Sequence, residues 1–173
     1  MDLFEAIESR RSIRAYTGED VSEEDVRRLI DAARKAPSAG NIQPWEFIVV
    51  RNREVKRKLA SAALNQTFIE EAPVVIVVCA DTERSWRGYG SRGAELYCIQ
   101  DTAAAIENLL LASCALGLGA CWVGAFHEEG VKKALKIPEG VRPVAIVPVG
   151  HPAERPRPRY KRPLEEIIHY ERY

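Results

Sequence analysis

Apolar positions divide the chain into alternating helical and extended segments. Leu3, Phe4 and Ile7 give one apolar side to a short first helix, which should stop near the Arg10-Arg11 pair. Ser22 with Asp25 three residues later resembles a capping box, and Val26, Leu29, Ile30 and Ala33 then recur at helical spacing until Pro37. Trp45 to Val50 reads as a strand, and Val55 and Leu59 belong to a third helix. The β-branched run Pro73 to Ala80 predicts a central strand buried on both faces. From Asp81 to Gly93 the chain turns polar and Gly-rich and reads as a loop or lid. Beyond it, Ile99, Ala103, Ile106 and Leu110 predict a long helix from about Glu95 to Leu116, closed by Gly117. Ala120 to Val123 and Pro143 to Val149 read as further strands, separated by a small amphipathic helix around Glu129 to Lys136, so the sheet has at least four strands.

After His151 the sequence PAERPRPRYKRP is too rich in Pro and charge to fold by itself, yet Leu164, Ile167 and Ile168 follow. An apolar end beyond an extended arm predicts docking, on this chain's own surface or on a second subunit. The 173 residues are expected to form a single domain over 1–173, with no internal repeat and an arm from 152 to 173. The 25 basic and 25 acidic residues cancel, which argues against the basic surface of a sequence-independent nucleic-acid binder. Any anionic ligand must meet a local cluster. Cys79, Cys98, Cys114 and Cys121 have no C-x-x-C spacing and read as buried thiols rather than a zinc site or disulfide framework. The start lacks a secretory leader, and no apolar run approaches the roughly 20 residues of a membrane helix, so a cytoplasmic protein without a membrane partner is expected.

Several segments could carry chemistry. GYGSRG, with Gly88, Gly90 and Gly93, matches G-x-G-x-x-G, but polar residues separate it from the preceding strand, whereas a dinucleotide fingerprint needs its first Gly at the strand end. Arg10, Arg11, Ser12 and Arg14 crowd three guanidinium groups and a hydroxyl at a helix end, suited to a phosphate monoester or to a solvated basic turn. Ser38, Ala39, Gly40, Asn41 and Gln43 offer small side chains, amides and backbone groups to the polar edge of a planar heterocycle; the alternative is an ordinary turn anchored by Trp45. No Ser/His/Asp constellation stands out, and His127, His151 and His169 read as structural.

Together RRSIRAY (Arg10 to Tyr16), APSAGNIQPWEFIVV (Ala36 to Val50), IQDTAAAIENLLLAS (Ile99 to Ser113), LGLGACWVGAF (Leu116 to Phe126), PVAIVPVGHP (Pro143 to Pro152) and PLEEIIHYE (Pro163 to Glu171) resemble the nitroreductase family of FMN enzymes, nearly end to end. The resemblance implies an α+β fold, a mostly antiparallel central sheet flanked by helices, in a homodimer whose subunits exchange C-terminal extensions. It implies that Arg10, Arg11, Ser12 and Arg14 bind the FMN phosphate and ribityl chain, and that Pro37, Ser38, Ala39, Gly40 and Asn41 close the flavin from the neighbouring subunit; Gln43 stays a cofactor-binding candidate on its amide alone. Asn65 matches an amide on the flavin's pyrimidine edge, with a helix C-cap as its alternative. Val123 and Gly124 match the approach to flavin N5, although many larger relatives carry Glu where Val123 stands. Arg159 and Lys161 match a basic pair on the phosphate, with Arg157 competing. The long helix would centre the dimer core, or else serve only its own subunit. The implied activity is ping-pong transfer from NADH or NADPH through FMN to a small oxidant such as a nitroaromatic or quinone. Alternatives are dehalogenation, enone reduction or dehydrogenation on the same scaffold, or flavin binding without turnover; Trp86, Tyr89 and Arg92 would cover the substrate.

Overall fold

A computed structural model describes residues 1–173. Its centre is a four-stranded antiparallel sheet in the order β1 (Trp45–Val50), β2 (Val74–Asp81), β4 (Val141–Gly150), β3 (Gly119–Ala120). The run from Pro73 is β2, and it lies centrally, buried from Val74 through Ala80. Side chains alternate faces along a strand. Val74, Ile76 and Val78 therefore enter one core with α2 (Glu23–Ala33) and α6 (Cys98–Ala115), represented by Leu29, Ile106 and Leu109. Val75, Val77 and Cys79 enter a second core with α3 (Arg53–Ala62), α4 (Phe68–Glu71) and α7 (Glu128–Leu135), represented by Leu59, Ile69 and Val131. Fully burying one such Val or Leu side chain is worth roughly 1.5–3 kcal/mol, so the sheet is held from both sides.

Local signals explain most boundaries. Asp2 and Glu5 form a reciprocal capping box on α1 (Leu3–Ser9). Ser22 accepts the Asp25 N–H at 3.0 Å, but its own hydroxyl donates to the Asp25 carboxylate, so only half of the expected box forms. Asn52 caps α3 by accepting the Val55 N–H. In β4, Pro143 stands opposite Cys79 where the register slips between Val78 and Cys79; an imide nitrogen without a proton suits an interruption of the ladder.

Three expectations are corrected. Asp81 to Gly93 is not a loop: the Asp81 carboxylate accepts the Arg84 N–H at 2.8 Å and starts α5 (Thr82–Arg92). The helix breaks only at Tyr89 and Gly90, where Gly90 takes φ 58, ψ −145, and a wider turn over Gly93–Tyr97 then leads into α6. Gly93, just past the helix, serves close packing, since a Cβ there would meet the Ser85 carbonyl oxygen at 2.2 Å, whereas one on Gly88 would meet only the movable end of Ile42 at 2.3 Å. The expected strand Ala120 to Val123 shrinks to Gly119–Ala120, with Val123 rejoining β4 as a single bridge to Ile146. Cys79, Cys98 and Cys121 are buried, while Cys114 is only half-buried. No helix is long and apolar enough to cross a membrane.

Candidate functional site

The edge of β3 carries a second strip of chain. Ser12 bridges Ala120 in parallel, Ile13 donates its N–H to the Ala120 carbonyl at 3.0 Å, and the strip then turns against the end of β4. There Tyr16 pairs with Pro152, Thr17 donates to His151 O, and Ala153 donates to Ala15 O, each at 2.9 Å for the two hydrogen bonds. Two segments about 140 residues apart in sequence thus run side by side, and the arm leaves from beside Arg14.

Their meeting point is a cavity of about 790 Å³ lined by Arg10, Arg11, Ser12 and Arg14 from one side and by Arg157, Arg159 and Lys161 from the arm. Arg157, Arg159 and Lys161 all line it, so the cavity includes both the expected pair and its competitor. Arg14, Arg157, Arg159 and Lys161 form no ion pair; Arg10 lies 3.9 Å from Glu107, and Arg11 turns one nitrogen back onto the Glu8 and Arg10 carbonyls. Glu8, Glu107 and Glu154 also line the cavity, but its six cations outnumber them, and four of those have no ion-pair partner, a balance suited to a phosphate dianion. The Arg14 guanidinium lies 5.9 Å from the Phe68 ring centroid, which braces its stem. Behind the strip, burial pushes the Tyr16 hydroxyl and the Cys121 thiol up, so both stay neutral; Arg14, Ser12 and Arg10 only partly offset this for Cys121.

Other sequence candidates lie outside this cavity. Val123 is buried, and both of its backbone groups are committed to Ile146, donating at 2.9 Å and accepting at 3.0 Å. Gly124 is exposed and open: a Cβ placed there would find its nearest neighbour, Trp122 Nε1, at 3.8 Å. Asn65 is exposed with φ 59, following Leu64 at φ 58 just beyond α3, a left-handed exit that an Asn tolerates well. Its side chain makes no hydrogen bond within the chain and stays available to a ligand.

Pro37 to Gln43 form a separate tight turn. Ser38 Oγ accepts the Gln43 N–H at 3.0 Å, Gln43 Nε2 donates to Asn41 O at 3.2 Å, and Gly40, Asn41 and Gln43 all have positive φ. Gly40 suits its φ of 56, and a Cβ there would also press on the Tyr89 hydroxyl at 2.6 Å, so a larger residue would have to move that side chain's end. Asp101 in α6 holds the turn from below, Oδ1 accepting the Ala39 N–H at 3.1 Å while Oδ2 is buried without a partner. Burial pushes this carboxyl above its usual range, and the Ala39 N–H only partly pulls it back. The helix α5 leans on the same turn through Arg84 Nε, which donates to Ile42 O at 2.6 Å.

Sequence reasoning does not single out Glu154, Phe68 or Asp101. The one signal it offers is that Glu154 is the only carboxylate in PAERPRPRYKRP; nothing local marks the others.

Comparisons with known proteins identify the fold and the family. The sequence model of the nitroreductase family matches residues 7–68 and 60–151. A protein of Methanothermobacter thermautotrophicus is 40% identical over 163 residues, spanning 92% of this chain and 82% of its own. A Bacillus subtilis protein named as an FMN reductase is 30% identical over 185 residues, 99% of this chain and 74% of its own. The NADPH:FMN oxidoreductase from Vibrio harveyi, solved in complex with NAD+, superposes with a TM-score of 0.91 at 26% identity over 99% of this chain and 77% of its own. With its antiparallel sheet, flanking helices and near end-to-end match, this chain belongs to the nitroreductase family.

Proposed function

We propose that the protein is a homodimeric FMN-dependent NAD(P)H oxidoreductase, in which reduced nicotinamide and a small oxidant such as a nitroaromatic or quinone occupy one site in turn. The observation that carries this reading is the convergence of Arg14, Arg157, Arg159 and Lys161, all without ion pairs, on the cavity beside Ser12. A phosphate monoester carries close to two negative charges and several acceptor oxygens, which such a cavity complements. An FMN held there by these residues would supply the redox chemistry of hydride transfer.

The chain's own contribution is to hold, orient and enclose. Arg10, Arg11, Ser12 and Arg14 grip the phosphate end, with Arg157, Arg159 and Lys161 closing over it from the arm. From Ala120 the chain continues to Gly124, and four extended residues span at most about 13 Å. Because the Val123 N–H is already used, the donor toward the flavin's central ring is the N–H of Gly124, and Val123 fixes the position from which it is presented. Asn65 addresses the pyrimidine edge. Pro37 to Asn41 of a second subunit, with Gln43 at the turn's end, shield the remaining face, and the arm beyond Pro163 docks on that subunit. The exposure of Phe4 at 78% and Tyr170 at 82% supports a covering partner.

The test is direct. The purified protein should be yellow, release FMN on denaturation, and consume NADH or NADPH when an oxidant is supplied under anaerobic conditions. A colourless preparation that takes up no added FMN would defeat the reading, and a yellow one that never oxidises either nucleotide would leave only a flavin carrier.

A further inference from the structure

The cavity's cations come from two places about 140 residues apart in sequence, the Arg10 to Arg14 strip and the arm from Arg157 onward. Between them stands Glu154, half-buried, its Oε1 accepting the Arg14 N–H at 2.5 Å and the Ala15 N–H at 3.2 Å. Glu154 is also the last residue whose hydrogen bonds reach the body of the protein. Every hydrogen bond formed from residue 155 onward closes within the arm: Glu166 to Pro163, Ile167 and Ile168 to Leu164, Arg172 to Tyr170, and Arg162 to Glu166. The direction in which Arg157, Arg159 and Lys161 depart is therefore set at this carboxylate.

A carboxylate among cations that await a phosphate is an unfavourable choice for binding strength alone, because it lowers the local positive charge. Its geometry supplies the compensation. We propose that Glu154 is a positioning residue: by accepting the N–H groups of Arg14 and Ala15 it joins the base of the arm to the Arg10 to Arg14 strip, and so fixes both sets of cations at the spacing one phosphate group needs. It also occupies two backbone donors that would otherwise compete for that phosphate, leaving recognition to side chains. This rests on the reading of the cavity as the site of the FMN phosphate.

The experiment titrates flavin-free full-length protein with FMN and with riboflavin, which has the same rings and ribityl chain and no phosphate, following the quenching of flavin fluorescence. Loss of charge-assisted hydrogen bonds in Glu154→Ala should weaken FMN binding by about tenfold or more. Riboflavin binding should stay within about twofold, because the step lost acts only through the phosphate. Glu154→Gln keeps an acceptor oxygen and should restore FMN binding to within about threefold of the parent. The backbone bonds from Thr17 to His151 and from Ala153 to Ala15 remain in both variants, and unchanged melting curves would verify this. Parental FMN affinity in Glu154→Ala, an equal loss for both flavins, or a Gln variant as weak as the Ala variant would each overturn the positioning role. If the parent protein itself binds FMN no better than riboflavin, the phosphate site is wrong, a result separate from any behaviour of the variants.

Discussion

Arg14 enters the cavity as an exposed side chain with no carboxylate partner, leaning on the Phe68 ring. Little of the fold depends on it. Arg14→Ala should therefore weaken FMN retention by about tenfold to a hundredfold, the range for losing charge-assisted contacts, with the melting temperature unchanged. Unaltered flavin affinity, measured by equilibrium titration, would remove this residue from the site. At this scale the sequence is readable where partners are neighbours in the chain: Arg10, Arg11, Ser12 and Arg14 lie within five residues, and their density marks either an anion site or a solvated basic turn. It is unreadable where partners are remote. Glu154 acts on backbone 139 and 140 residues away, and Asp101 on backbone 62 residues away, and no spacing rule carries such information. Val123 shows a third case, because only the bridge to Ile146 reveals that its N–H is spent.

Among the elements, β2 and α6 are legible because their own side chains state their burial, a β-branched run in one and helical apolar spacing in the other. The α5 segment is not, because its glycines and many polar residues give it poor helix propensity. It is held by the Asp81 cap and by docking on Ile42, a contact made 42 residues away in sequence. Two glycines here separate the costs. In Gly93→Ala the new methyl meets the Ser85 carbonyl oxygen at 2.2 Å, and backbone must move, at a cost of about 1–3 kcal/mol. For a chain of this size that is a fall of roughly 2 to 10 °C in melting temperature. In Gly88→Ala the obstacle is the end of the Ile42 side chain, which can change rotamer, while Ala is the better helix former by about 1 kcal/mol. Thermal melts should show a clear loss for the first and a change near zero for the second; equal losses would mean the α5 packing is wrong.

For the whole molecule, the sheet and its two cores hold together without the arm, whose residues from 157 to 173 are all exposed. Deleting residues after Pro163 should leave the melting curve of the body cooperative, shift the protein toward monomer in sedimentation and lower its flavin content. An intact, flavin-loaded dimer after truncation would refute the crossing arm. The apolar residues of PLEEIIHYE announce a docking segment, and in the arrangement proposed its destination is a second subunit, so no contact within one chain marks it.

An arm that from residue 155 onward bonds only with itself has its ordering entropy still to lose when it docks. In the arrangement proposed, that loss is met jointly by the second subunit and by the phosphate, so assembly and loading become one linked equilibrium. Added FMN then tightens the dimer, and dilution of the protein drains it of flavin.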